Sequence, residues 1–220
     1  MKSILVIGLG NFGRNLAYKL QELGNDVMVV DTDEKKIQQV SNDFTEAYTG
    51  DCTNEAVISS LGVNNFDICY VTTGGSFQAS LEITSLLKEH GAKYIVSKAT
   101  QEMQAKFLKQ IGANEVVYPE KDMAIKMAIK HNADSVFDYI QLGDEYALYE
   151  VPVPQPWVGK TLKDLNIRQQ FSVNVIAITG ENGKYILALP NYEFASNDHM
   201  LLLGRQDELK SISKTLKKIK

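Results

Sequence analysis

Short apolar runs rich in Val, Ile and Tyr alternate along the first half of the chain with longer segments of helical period. That alternation is the signature of βαβ units closing into a parallel sheet. It predicts strands at Ser3 to Ile7, Asp26 to Val30, Glu46 to Thr49, Asp67 to Thr72, Lys93 to Ser97 and Glu115 to Tyr118, each short enough to be buried. Between them Phe12, Leu16 and Leu20 recur at helical spacing, as do Leu86, Leu87 and His90. Gly24, Gly62, Gly91 and Gly112 stand where helices should stop. The fold class that follows is α/β, a Rossmann-like doubly wound parallel sheet.

After Pro119 the rhythm changes. Glu120 to His131 has helical period, and Met123, Ile125, Met127 and Ile129 give it an apolar side that no seventh strand follows to cover, so this helix is expected to leave the sheet. Ala133 to Tyr149 mixes strand-like pairs around Gly143, and the Pro152, Pro154, Pro156 cluster argues against a continuous central strand there. Beyond come a short helix near Leu162 to Gln170, then strands at Val173 to Ile178 and Tyr185 to Leu189 around a hairpin turn at Gly180 to Gly183. A strand at Met200 to Leu203 follows, and a last helix carries Leu209, Ile212, Leu216 and Ile219 on one side. The expected organisation is residues 1–132 as one domain with its trailing helix, and 133–220 as a small α+β domain.

At 220 residues and 44% hydrophobic composition the chain can bury a real core. A net charge of -4 lacks the basic footprint of a nucleic-acid binder. No stretch approaches the roughly 20 apolar residues that span a bilayer, and Met1 to Gly10 reads as a strand rather than a signal peptide, so a cytosolic location is expected. Two cysteines, Cys52 and Cys69, and three scattered histidines offer neither a disulfide framework nor a metal-ligand spacing.

The most informative residues are Gly8, Gly10 and Gly13 in GLGNFG, which follow a strand and open a helix that begins with Asn11 and Phe12. Gly8 permits the tight turn, Gly10 lets the backbone approach a pyrophosphate, and Gly13 lets helix and strand pack closely, leaving phosphates to the helix N-terminal amides. Asp31 closes the second strand at the roughly 20-residue distance where an acid accepts hydrogen bonds from the ribose hydroxyls of an adenosine. A carboxylate there, with no Arg directly after it, argues against a 2′-phosphate. At the end of strand three, Asp51 beside Cys52 either accepts from an adenine amino group or caps the helix before Asn54. Thr72, Thr73 and Gly74 mark the topological switch point where open α/β sheets bind ligands. Lys98, on the same carboxyl edge, either reaches phosphate or is a solvated lysine.

Tyr94 and Lys98 have the YxxxK spacing of short-chain dehydrogenases, but in a strand they stand about 13 Å apart instead of about 6 Å, so that dyad does not form. No Ser-His-Asp set, HExxH or P-loop lysine occurs. Nucleotide binding without turnover is the better reading; a small NAD-dependent oxidoreductase is the alternative.

Gly8 to Arg14, Asp31, GDCTNE at Gly50 to Glu55, IGA at Ile111 to Ala113 and YPEKDMA at Tyr118 to Ala124 resemble the KtrA/TrkA family, gating subunits of bacterial potassium transporters built from RCK domains. The resemblance implies an N-terminal RCK domain binding ATP or ADP, or NAD(H), in the glycine-loop pocket. It also implies homodimers assembled into a homo-octameric ring on the inner face of the membrane, beneath a KtrB/TrkH-like potassium-translocating subunit, and no reaction. The helix after PEKDM resembles one that exchanges contacts between dimer partners; packing on its own sheet is the other reading. In the family, the glutamate matching Glu120 helps hold a divalent cation, Mg or Ca, which suits a carboxylate. The family usually has Arg in the glycine loop where this chain has Asn11; Arg14 either substitutes at the phosphates or lies on the surface. In the C-terminal half, Arg168, Asn174, Ile176 and Pro190 are similar to the lining of a cyclic di-AMP pocket, with Arg168 as phosphate ligand or as an exposed helix-end cation. The lysines from Lys210 to Lys220 read as a solvated helix face.

Overall fold

The computed structural model describes all residues except 133–137, 144, 181–182, 210 and 213–220. The chain divides into two compact units, Met1–Lys121 and Asp122–Lys220.

In the first unit β1 (Ser3–Ile7), β2 (Asp26–Asp31), β3 (Glu46–Thr49), β4 (Ile68–Val71), β5 (Ile95–Lys98) and β6 (Glu115–Val117) form one parallel sheet of order β3-β2-β1-β4-β5-β6. The crossovers are α1 (Asn11–Glu22), α2 (Glu34–Val40), α3 (Glu55–Leu61), α4 (Phe77–Glu89) and α5 (Glu102–Ile111). All six expected strands and the doubly wound sheet are present. Apolar runs without polar alternation suit strands covered on both faces. Leu5 and Ile7 of β1 pack with Ile58, Ile83 and Leu87. Ile4 and Val6, pointing the other way, pack with Ala17, Ile37, Val40 and Phe44. Gly24, Gly62, Gly91 and Gly112 all take positive φ, the backbone state that lets a chain turn off a helix.

The helix expected after Pro119 is α6 (Pro119–Asn132), and Met123, Ile125 and Met127 on it are exposed. The side chain of Ile129 lies outside the described residues.

The second unit is an antiparallel sheet of order β10-β9-β11-β8-β7, from β7 (Asp138–Leu142), β8 (Tyr146–Pro152), β9 (Asn174–Thr179), β10 (Tyr185–Leu187) and β11 (His199–Arg205). The short helices α7 (Leu162–Leu165) and α8 (Ile167–Phe171) lie in the connection between β8 and β9. β9 and β10 form the expected hairpin, although residues 181 and 182 of its turn lie outside the described residues. The proline cluster misled on one point. β8 is a continuous interior strand paired on both sides, because Pro152 occupies only its last position and the other prolines fall beyond it. Ala147, Tyr149 and Val151 of β8 alternate inward with Met200 and Leu202 of β11 onto Trp157, Ile167 and Phe194. Leu209 and Ile212 of the last helix are buried here too, whereas Leu216, Ile219 and most of the terminal lysines lie outside the described residues.

Candidate functional site

The carboxyl edge of the parallel sheet opens on a cleft of about 550 Å³. Gly8, Gly10, Asn11, Phe12, Asp31, Asp51, Cys52, Thr72, Thr73, Gly74, Lys98 and Glu120, separated widely in sequence, all line it. Gly13 lies just behind: a Cβ there would come 2.1 Å from the Gly8 carbonyl oxygen and 2.3 Å from Thr72 Oγ1. Its role is the close helix–strand approach.

The glycine turn is anchored from below. Gly8 has φ +101 and donates its N–H to Val30 O at 2.7 Å. The Thr72 hydroxyl, 2.6 Å from Gly8 O and 3.0 Å from Ile7 O, ties the end of β4 to the same turn. Above the turn the backbone is bare. α1 has no side-chain N-cap and no acid in its first turn, and a Cβ on Gly10 would meet nothing within 4 Å. Uncapped helix N–H groups with open space over them suit an anion.

Asp31 is buried and accepts from Leu9 N at 2.6 Å, from Asp33 N at 2.9 Å and from Lys36 Nζ at 3.2 Å. Burial pushes its carboxyl up, but the main-chain donors of Asp33 and Leu9 and the Lys36 ammonium outweigh that, and the group stays below the usual carboxylate range. α2 takes its cap from Asp33, not Asp31, so Asp31 is left facing the cleft. Asp51 likewise is not the cap of α3, which is Asn54; its Oδ1 holds Thr53 N at 3.0 Å and the Thr53 hydroxyl at 2.7 Å. These donors lower its carboxyl. Cys52 is no nucleophile: burial, reinforced by the charges of Asp51 and Asp31, pushes its thiol up to about 12.

At the other end Lys98 is almost fully buried, with its ammonium 2.5 Å from Glu120 Oε1 and 5.8 Å from the centre of the Phe12 ring. It is no solvated lysine. The same ion pair lowers the Glu120 carboxyl. Thr73 Oγ1 is buried with no hydrogen-bond partner among the described residues. Arg14 turns outward to Gln39 and lies over Tyr18, away from the cleft lining. The Tyr94 hydroxyl meets Glu115 at 3.4 Å while Lys98 faces the cleft, so the two do not make a dyad. Lys36 is a charged cleft residue the sequence did not reveal. The only signal was its place in the first turn after the acid, where a helix doubles back over its strand.

A second, shallower depression of about 430 Å³ in the C-terminal unit gathers Arg168, Asn174 and Pro190 with Lys163 and Asn166. Ile176, predicted beside them, is not among its lining residues.

A 3-2-1-4-5-6 parallel sheet with a glycine turn, a bare helix N-terminus and a buried acid closing β2 defines a Rossmann-type nucleotide-binding fold. The TrkA-N domain model matches residues 4–119 and the TrkA-C domain model residues 146–217, so the chain belongs to the TrkA-N/TrkA-C family. Within that family it is 39% identical over 189 residues to Ktr system potassium uptake protein C of Bacillus subtilis (strain 168), covering 86% of this chain and 85% of that protein. It is 32% identical over 209 residues to Ktr system potassium uptake protein A of the same organism, covering 95% and 94%. Among solved structures, the GsuK channel bound to NAD superposes with TM-score 0.70 at 19% identity; the match covers 98% of this chain but 39% of that one.

Proposed function

We propose that this protein is a nucleotide-sensing regulatory subunit for potassium uptake, whose cleft takes the adenosine and phosphates of ATP or ADP, with NAD(H) as the competing occupant. The observation that carries the reading is the convergence of the glycine turn, Asp31, Thr72–Gly74 and the buried Lys98 on one cleft. In this reading Asp31 takes the ribose, the α1 amides take phosphate, and Lys98 exchanges Glu120 for a phosphate oxygen. Similarity to the Ktr potassium uptake proteins supports the transport role, and the NAD of the GsuK structure supports an adenine nucleotide.

A divalent cation, Mg or Ca, at Glu120 does not fit the residues of one chain. Among the described residues no three His, Cys, Asp or Glu side chains converge, and Glu120 already holds Lys98. The remaining steps are carried by this chain's own residues. The mechanism works by population shift: ATP and ADP favour different shapes of a homodimer built on the exposed apolar side of α6, the homo-octameric ring follows, and a membrane potassium-translocating subunit responds. The coupling required is roughly 1–3 kcal/mol. No helix among the described residues is long and apolar enough to cross a membrane, which suits a subunit attached from the cytoplasmic side. The functional division we adopt keeps α6 with the N-terminal domain, at 132/133. Cyclic di-AMP in the depression at Arg168 is a further regulator in this reading, favoured by Lys163 and Arg168 lining it together.

Small-angle scattering with ATP and then with ADP is expected to give different particle dimensions, and superimposable curves overturn the mechanism. Incubation with NADH and carbonyl substrates is expected to leave the cofactor reduced; sustained oxidation would instead favour an oxidoreductase.

A further inference from the structure

Lys36 has no task in the nucleotide reading, although it lines the cleft beside Asp31 and Thr32. Its ammonium forks across the Asp31 carboxylate, 3.2 Å from Oδ2 and 3.4 Å from Oδ1. Leu9 N holds Oδ2 and Asp33 N holds Oδ1, so every acceptor direction of Asp31 is in use. The two main-chain donors are fixed by the glycine turn and by the start of α2. The ammonium rides on a flexible four-carbon stem whose side chain is 43% exposed, against 7% for Asp31. A ribose can therefore gain Asp31 only by taking the ammonium's place, and the displaced cation stays beside the 2′ position.

For a free 2′-hydroxyl that neighbour is superfluous. A 2′-phosphate is different: next to a buried carboxylate it is repelled, unless a cation stands with it. The acids closest in sequence are engaged elsewhere, Asp33 capping α2 at Lys35 N and Glu34 accepting from Gln38 Nε2. The absence of an arginine after Asp31 had argued against 2′-phosphorylated cofactors; the cation arrives five positions on, carried back by the helix. We propose that Lys36 lets the cleft accept adenine nucleotides phosphorylated at the ribose 2′ position alongside those with a free hydroxyl, and that it sets the discrimination between them. The inference rests on adenosine seating at Asp31.

The test is isothermal titration of the full chain with AMP and with adenosine 2′,5′-bisphosphate, which differ only at that position. The wild-type protein is expected to bind the two within about tenfold of each other. Lys36→Met should weaken the bisphosphate by about tenfold, the scale of one partly screened charge pair, while AMP binds as before or tighter because its competitor for Asp31 is gone. Lys35→Met should leave both unchanged. Tight AMP binding with rejection of the bisphosphate by the wild type sinks this inference alone. Equal weakening of both ligands in Lys36→Met also overturns it, since that marks a structural prop. Failure of both ligands to bind the wild type removes the adenosine reading and the inference together.

Discussion

A Cβ at Gly13 has nowhere to go: the Gly8 carbonyl and Thr72 Oγ1 stand within 2.3 Å of its position, and one of them is backbone. Gly13→Ala is expected to lower stability in urea by about 1–3 kcal/mol, the cost of overpacking a tight contact. Gly10 is the opposite case, with φ -68 and open space where its Cβ would be. Gly10→Ala should keep the wild-type urea midpoint and lose nucleotide affinity by about tenfold or more, because the methyl intrudes where phosphate must approach. The two residues look alike in the string GLGNFG, and their separate duties follow from what lies above and below the turn. Asp31 sets a pH dependence. Its folded carboxyl lies below the unfolded value of about 3.9, so its interactions contribute stability above that pH and are lost as the pH falls through the folded value. Unfolding midpoints should therefore drop on acidification below about pH 4, and Asp31→Asn, which cannot ionise there, should flatten that slope. The acid was legible from spacing alone; Lys36 was not, since a lysine in a charged run looks like any solvated helix face.

Elements of the parallel sheet were easier to read than those of the antiparallel one, and the reason lies in burial. Strands covered on both faces read as near-continuous apolar runs, as in Ile4–Ile7, and the helices before β2, β4, β5 and β6 each end at a glycine of positive φ. β8 shows only alternation, buried at every second residue, and it ends against prolines that look disruptive in sequence. Its interior place comes from pairing with β11 from His199 to Arg205, strands nearly fifty residues apart, which no local signal records. α7 illustrates the opposite, a short element fixed locally. Thr161 Oγ1 accepts from Asp164 N at 3.2 Å and the Asp164 carboxylate reaches back to Thr161 N, a reciprocal capping box. Thr161→Ala should cost the C-terminal unit about 1 kcal/mol by thermal or urea unfolding, with the N-terminal unit unaffected.

For the whole molecule, each buried apolar cluster lies within one unit, those around Leu5, Ile4 and Leu108 in the first and that around Phe194 in the second. Two cores predict two calorimetric transitions. Phe194→Ala should lower one of them by about 3–5 kcal/mol, since its ring is 2% exposed, while ATP or ADP raises the other by mass action. A single transition moved by both would contradict the division. The chain's own sequence determined the doubly wound fold and the position of the glycine turn, because strand period, helix period and glycine backbone freedom act over a few residues. The burial of Lys98 against Glu120, the seat of Lys36 on Asp31 and the interior place of β8 beside β11 emerged only when the chain folded. Those outcomes depend on contacts between distant segments, whose energies exist only once the chain has brought them together.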